Sequence, residues 1–173
     1  NKRMTYNNNL TQDLLYGLAT NRDCASKETV SIWMVHALAK VRIILDESLG
    51  DIGQVTVSGY KTGHFSPINN GVPAWEIDNV NTHIYADFRK YEGKVDEELK
   101  NNNSVTVFIL PDKITGLKMW NSVEQEIDAS EEIKKHTFLA GKVYNLTISK
   151  SNGVRKKNTN SRSIAMSVRC VSE

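Results

Sequence analysis

The sequence predicts an all-β sandwich. Three observations carry that reading. Short runs rich in β-branched residues alternate with period two, about seven or eight of them along the chain. Clusters of Gly, Pro, Asn and Ser separate the runs, as in sandwiches with frequent turns. Helix-compatible patterns are confined to at most two short pieces, and no internal repeat is evident.

The elements follow in order. Residues 1–29 read as a lead-in, and residues 30–173 as the sandwich domain. Residues 1–9 are polar and Asn-rich, and residues 20–27 are small and polar. Between them Leu10, Leu14, Leu15 and Leu18 have helix-like spacing. Strands begin at Val30, with Val30, Ile32 and Met34 on one face and Trp33 and Val35 on the other. Val41, Ile43 and Leu45 repeat the pattern, across a helix-tolerant Ala37–Ala39 centre. Gly50 and Gly53 punctuate before a strand over Val55–Val57. A loop is expected over residues 59–73, which hold Gly59, Gly63, Pro67, Gly71 and Pro73.

Residues 82–88 form the next strand, with Ile84, Ala86 and Phe88 on one face. Residues 92–103 are charged and suit one helical turn. Residues 104–110 are the clearest buried strand, and Pro111 stops it because proline cannot donate to a ladder. Residues 115–123 and 137–139 are weaker candidates. After Gly141, Tyr144, Leu146 and Ile148 share a face. Residues 149–162 read as a polar hairpin loop. Residues 163–171 form the last strand, with Ile164, Met166, Val168 and Cys170 on one face; that alternation makes it a candidate donor or edge strand, or the strand that closes its own sheet.

The chain has 173 residues, enough for one domain with a real core. Its 22 basic and 20 acidic residues leave a net charge of +2, which gives no reason to expect nucleic acid as a partner. Apolar residues at 39% and charged residues at 24% argue against global disorder. The longest apolar runs are about four residues, against roughly 20 for a membrane-crossing helix. The chain opens at Asn1 without a signal peptide, so a processed or partial product is expected.

Chemistry-bearing motifs are sparse. His36, His64, His83 and His136 are not at metal-ligand spacing, so no metal and no cofactor is expected. Nucleophile-elbow, phosphate-loop and dinucleotide motifs are missing, and the acidic pairs Glu97-Glu98 and Glu131-Glu132 lie on polar stretches that face water. No catalytic residue is nominated, and the protein is read as a non-enzyme. Basic residues over 150–162 suit a solvated hairpin tip better than a phosphate site, since no aromatic interleaves them. Trp75, Tyr85 and Trp120 are candidates for a glycan platform; packing is the competing reading. Cys24 and Cys170 are a candidate disulfide, the other reading being two buried thiols.

Several segments together resemble the fimbrillin-like proteins of Bacteroidetes, the type V pilins of major and minor fimbria. The matching stretches are Asp13-Leu14-Leu15-Tyr16-Gly17, Val35-His36-Ala37-Leu38-Ala39-Lys40-Val41 and Val55-Thr56-Val57-Ser58-Gly59-Tyr60 followed by Gly63 and Phe65. Val107-Phe108-Ile109-Leu110-Pro111 and Leu139-Ala140-Gly141-Lys142-Val143-Tyr144 come next, and Ser167-Val168-Arg169-Cys170-Val171 ends the series. The resemblance implies a transthyretin-like Greek-key β-sandwich and a non-enzymatic structural or adhesive subunit. It implies a lipoprotein of the outer membrane and fimbrium, serving as pilus subunit, anchor or tip. Partners would be other fimbrial subunits or further copies of the chain, joined by β-strand addition. The family normally has an N-terminal half before the Asp13 element, so the chain is expected to be the C-terminal domain of a longer precursor. The alternative is a carbohydrate-binding surface module or adhesin, its partners host or dietary glycans or proteins. It would use the 59–73 loop with Trp75, Tyr85 and Trp120.

Overall fold

A computed structural model describes residues 3–19, 29–66, 73–78, 83–150, 153–161 and 163–169, the last two stretches as backbone. The chain begins with β1 (Met4–Asn7) and β2 (Leu15–Tyr16). β3 (Thr29–His36), β4 (Ala39–Leu45), β5 (Ile52–Tyr60), β6 (Thr62–Ser66), β7 (Ala74–Ile77) and β8 (His83–Arg89) follow. Helix α1 (Glu97–Asn102) precedes β9 (Ser104–Ile109), β10 (Ile114–Asn121) and β11 (Glu126–Asp128). Helix α2 (Ser130–Ile133) leads to β12 (Lys142–Ser149), β13 (Gly153–Ser161) and β14 (Ser163–Arg169).

The expected sandwich is built from two four-stranded sheets, ordered β13-β12-β4-β9 and β11-β10-β5-β8. Most neighbours are antiparallel, but β12 runs parallel to β4, with Leu146 opposite Ile43. Alternation does the packing. Val41, Ile43 and Leu45 of β4, Val105, Val107 and Ile109 of β9, and Tyr144, Leu146 and Ile148 of β12 are buried. From the facing sheet come Val55, Val57, Ala86, Phe88, Leu117 and Met119, and all belong to one apolar cluster. Each large side chain taken from water there contributes about 1.5–3 kcal/mol. Helix α1 is started by Asp96, whose carboxylate accepts from Leu99 N, and ended by Asn103 in the left-handed region at φ 47°.

A smaller pair of sheets, β1-β6-β7 and β14-β3-β2, sits on the same strands. Its core is Tyr16, Ala37 and Phe65, with Tyr6, Leu14, Leu18, Val35 and Trp75 packed against them. Only Ala37 and Leu38 separate β3 from β4, only Lys61 separates β5 from β6, and only residue 162 separates β13 from β14. Three stretches of chain therefore run through both packed units.

Residues 137–139 form no strand, only an isolated bridge from Phe138 to Asp112, and the structure departs from the sequence reading in other places too. Leu10, Leu14, Leu15 and Leu18 form no helix. Asn9 accepts from the backbone of Thr11 and Gln12, and Leu10 takes φ 66°, which no helix continues. Leu10 is instead fully buried in the larger core, and β1 pairs with β6, so residues 3–19 are built into both units. Residues 59–60 and 62–66 are strand rather than loop. Gly59 and Gly63 are needed there for close approach: a Cβ on Gly63 would lie 2.9 Å from the Trp75 ring and 3.0 Å from Leu110. Residues 153–161 are also strand. β13 is the outermost member of its sheet, where a charged strand without apolar alternation is tolerated.

Candidate functional site

Two surfaces bear on function. The first is the seam where β14 lies on β3. Seven residue pairs join them antiparallel, from Ser163 opposite Val35 to Arg169 opposite Thr29. Ile164, Met166 and Val168 stand opposite Met34, Ile32 and Val30. β14 is the outermost strand of its sheet, while β2 on the far side pairs only with His36 and Val35. The β3–β4 ribbon thus takes two partners in succession. β12 lies beside β4 and β14 beside β3, and Gly141 N donates to Leu38 O at 3.0 Å where the chain hands over. The ribbon's bend is held from the other side by Ala37 N donating to Leu14 O at 2.8 Å and by the hydrogen bond between the Asp13 and His36 side chains. Cys24 and Cys170, and with them the candidate disulfide, lie outside the described residues.

The second surface is the outer face of the β11-β10-β5-β8 sheet. Cross-strand register arranges it in rows. Asp87, Thr56, Lys118 and Asp128 form one row, in which the Thr56 hydroxyl donates to Asp87 at 2.5 Å and Lys118 sits 3.8 Å from Asp128. Arg89, Gln54, Trp120 and Glu126 form the next. Tyr85, Ser58 and Gly116 form a third on the other flank of the charged row.

The three candidate platform aromatics do not come together. Trp75 belongs to the smaller core, 4.8 Å from Phe65 between ring centroids, and its indole N–H donates to Ala37 O at 2.8 Å. Tyr85 is 68% exposed, but it lies four residues along β8 from Arg89, the member of Trp120's row, a separation of roughly 13 Å.

Trp120 instead shares a shallow cleft with Tyr91, a residue the sequence reading passed over. The cleft is about 190 Å³, and Gln54, Arg89, Glu92 and Glu124 also line it. Tyr91 is 58% exposed. Its hydroxyl nevertheless donates to Asp51 Oδ2 at 2.5 Å, and Lys90 Nζ donates to Asp51 Oδ1 at 2.7 Å. The bond from Lys90, then that from Tyr91, holds the Asp51 carboxyl below its ordinary range. The same bond to Asp51 pushes the Tyr91 hydroxyl up, keeping it a donor. Nothing periodic marks Tyr91 in the sequence. Only register, which places Gln54 between Arg89 and Trp120, assembles this site.

Among the described residues no group of three or more His, Cys, Asp or Glu could hold a metal ion, and no helix is long and apolar enough to cross a membrane.

With this architecture in view, the chain can be set beside solved structures. It superposes on a proposed cell adhesion protein from Bacteroides uniformis ATCC 8492 with a TM-score of 0.53 at 16% identity, over 98% of this chain. The two chains share a fold. A second proposed cell adhesion protein, from Bacteroides ovatus ATCC 8483, aligns at TM-score 0.40 and 11% identity over 81% of this chain. The C-terminally truncated tip fimbrial protein Mfa3 of Porphyromonas gingivalis aligns at TM-score 0.45 and 8% identity over 73%. The chain spans 66%, 48% and 51% of the lengths of these three proteins. No family model matches the chain, and no curated protein matches it significantly.

Proposed function

We propose that this protein is a non-enzymatic subunit of a bacterial surface fimbrium or adhesive appendage, of the fimbrillin-like type. The observation that carries the reading is the fold shared with a proposed Bacteroides cell adhesion protein over nearly the whole chain. Two of the fimbrillin-like stretches support it by where they fall. Val35–Val41 forms the bend between the two units, and Leu139–Tyr144 enters β12 beside it.

Assembly would use β-strand addition. β14 occupies the outer position on β3 through main-chain pairing along its whole length. A neighbour's strand with the same alternation would meet the same backbone groups, with Ile164, Met166 and Val168 setting the register. Other fimbrial subunits or further copies of this chain are the partners, and the outer membrane surface is the location.

Amide hydrogen exchange on the full chain tests this. Exchange faster in Ser163–Arg169 than in Ser104–Ile109, together with capture of a synthetic 163–171 peptide, is the expected result. Equal protection of both strands with no peptide capture would overturn the assembly mechanism.

A further inference from the structure

We propose that the cleft between Tyr91 and Trp120 binds a neutral saccharide, with the Tyr91 ring as its stacking face. The proposal deepens the adhesive reading and rests on it for its biological sense. Its physical basis is separate.

The ring is exposed and already ordered. Asp51 receives its hydroxyl, Lys90 holds Asp51, and the ring edge lies against Gly53, where a Cβ would come within 3.6 Å of Cδ2. Tyrosine offers a large amphipathic face with few torsions to lose. Fixing those torsions before binding removes part of the cost of association. Tyr91 is more than half exposed and gains less from burial in its own fold than Trp75 does, and the Lys90 ammonium, 5.6 Å from the ring centroid, helps hold the ring in place.

The rest of the lining matches hydroxyl chemistry. Sugar hydroxyls both donate and accept, and the cleft supplies both functions. Arg89 donates, Glu92 and Glu124 accept, and the Gln54 amide does either. Two carboxylates against one guanidinium disfavour an anionic ligand, so sialylated or uronic sugars are the wrong class. The same charged side chains make the cleft a poorer match for a purely apolar peptide side chain. The volume, about 190 Å³ and open on one side, suits one sugar ring with its chain continuing across the sheet.

The test is an amide chemical-shift titration of the full chain with cello-, manno- and galacto-oligosaccharides, and with a uronic oligosaccharide as the charged control. At least one neutral series is expected to shift the amides of Gly53, Tyr91 and Asn121 saturably, and the uronic series to bind more weakly. Tyr91→Ala is expected to weaken binding about tenfold. Tyr91→Phe keeps the ring and is expected to weaken it less. Should Tyr91→Ala fail to fold, Gln54→Ala on the neighbouring strand is expected to weaken binding about threefold. The proposal is overturned if no neutral oligosaccharide shifts these amides, if affinity is the same in the variants, or if only extended peptides bind there. None of these outcomes touches exchange at β14, so failure of the cleft and failure of the fimbrial reading are told apart.

Discussion

The two packed units differ in how they are held. The larger sandwich is mainly aliphatic, with Phe88 and the Phe138–Tyr144 ring pair set among aliphatic side chains, and its longer strands alternate, β4, β9 and β12 in one sheet and β5 and β10 in the other. The smaller unit is aromatic, and four of its strands, β1, β2, β6 and β7, have five residues or fewer: Tyr6, Tyr16, Phe65 and Trp75 meet at centroid distances of 4.8–6.2 Å. Where few residues are available, each must bring more area, and aromatic rings bring the most. The smaller unit is also the one that includes β14. The larger core thus lies away from the strand proposed for exchange, so local opening of β14 need not disturb it.

The sharpest way to break this comparison is in the larger core. Leu146→Ala, at a fully buried position, is expected to cost about 2–5 kcal/mol, read as a lowered denaturant midpoint. Exchange at Ser104–Ile109 should accelerate with it. In the smaller unit Gly63→Val should cost toward the upper end of about 1–3 kcal/mol, because the side chain meets Trp75 and Leu110. If the two units open separately, that loss appears first as faster exchange in β6 and β7.

Asn8 tests the junction. Its side chain donates to Phe108 O at 3.0 Å and accepts from Leu10 N at 3.1 Å, completing the edge of β9 from a segment outside the ladder. Asn8→Ala leaves both backbone groups without that partner and is expected to cost about 1–2 kcal/mol by chemical denaturation. The smallest effect concerns Asp51. Its carboxyl is held below its ordinary range, so its contribution is present above the unfolded value of about 3.9 and lost as pH falls through the lower folded value. Acid titration followed by the Tyr91 ring resonances should show the ring loosening in that range, with no change between pH 5 and 8.

Legibility in the sequence followed the same division. The alternating runs of β4, β9 and β12 were readable because apolar and polar residues change places at every step. In the smaller unit β3 and β14 were readable in the same way, but β1 and β2 were not, since four and two residues are too few for a period-two run to stand out. Gly59 and Gly63 pointed to a turn when the physical need was room beside Leu10, Trp75 and Leu110. β13 gave no period-two signal, because an outer strand can be polar throughout. Of the candidate site, Trp120 was visible as a residue, but its companion Tyr91 was not. Their meeting depends on which residues of β5, β8 and β10 lie opposite one another, and a single sequence does not specify register.

The handover along the β3–β4 ribbon has a mechanical consequence. Antiparallel hydrogen bonds lie across the strand direction. Tension drawn through β14 along its own axis therefore loads all seven residue pairs with β3 together instead of peeling them one by one. A filament whose subunits were joined by such a contact would resist flow by sharing force laterally. It would give way only when the whole strand slipped by one register.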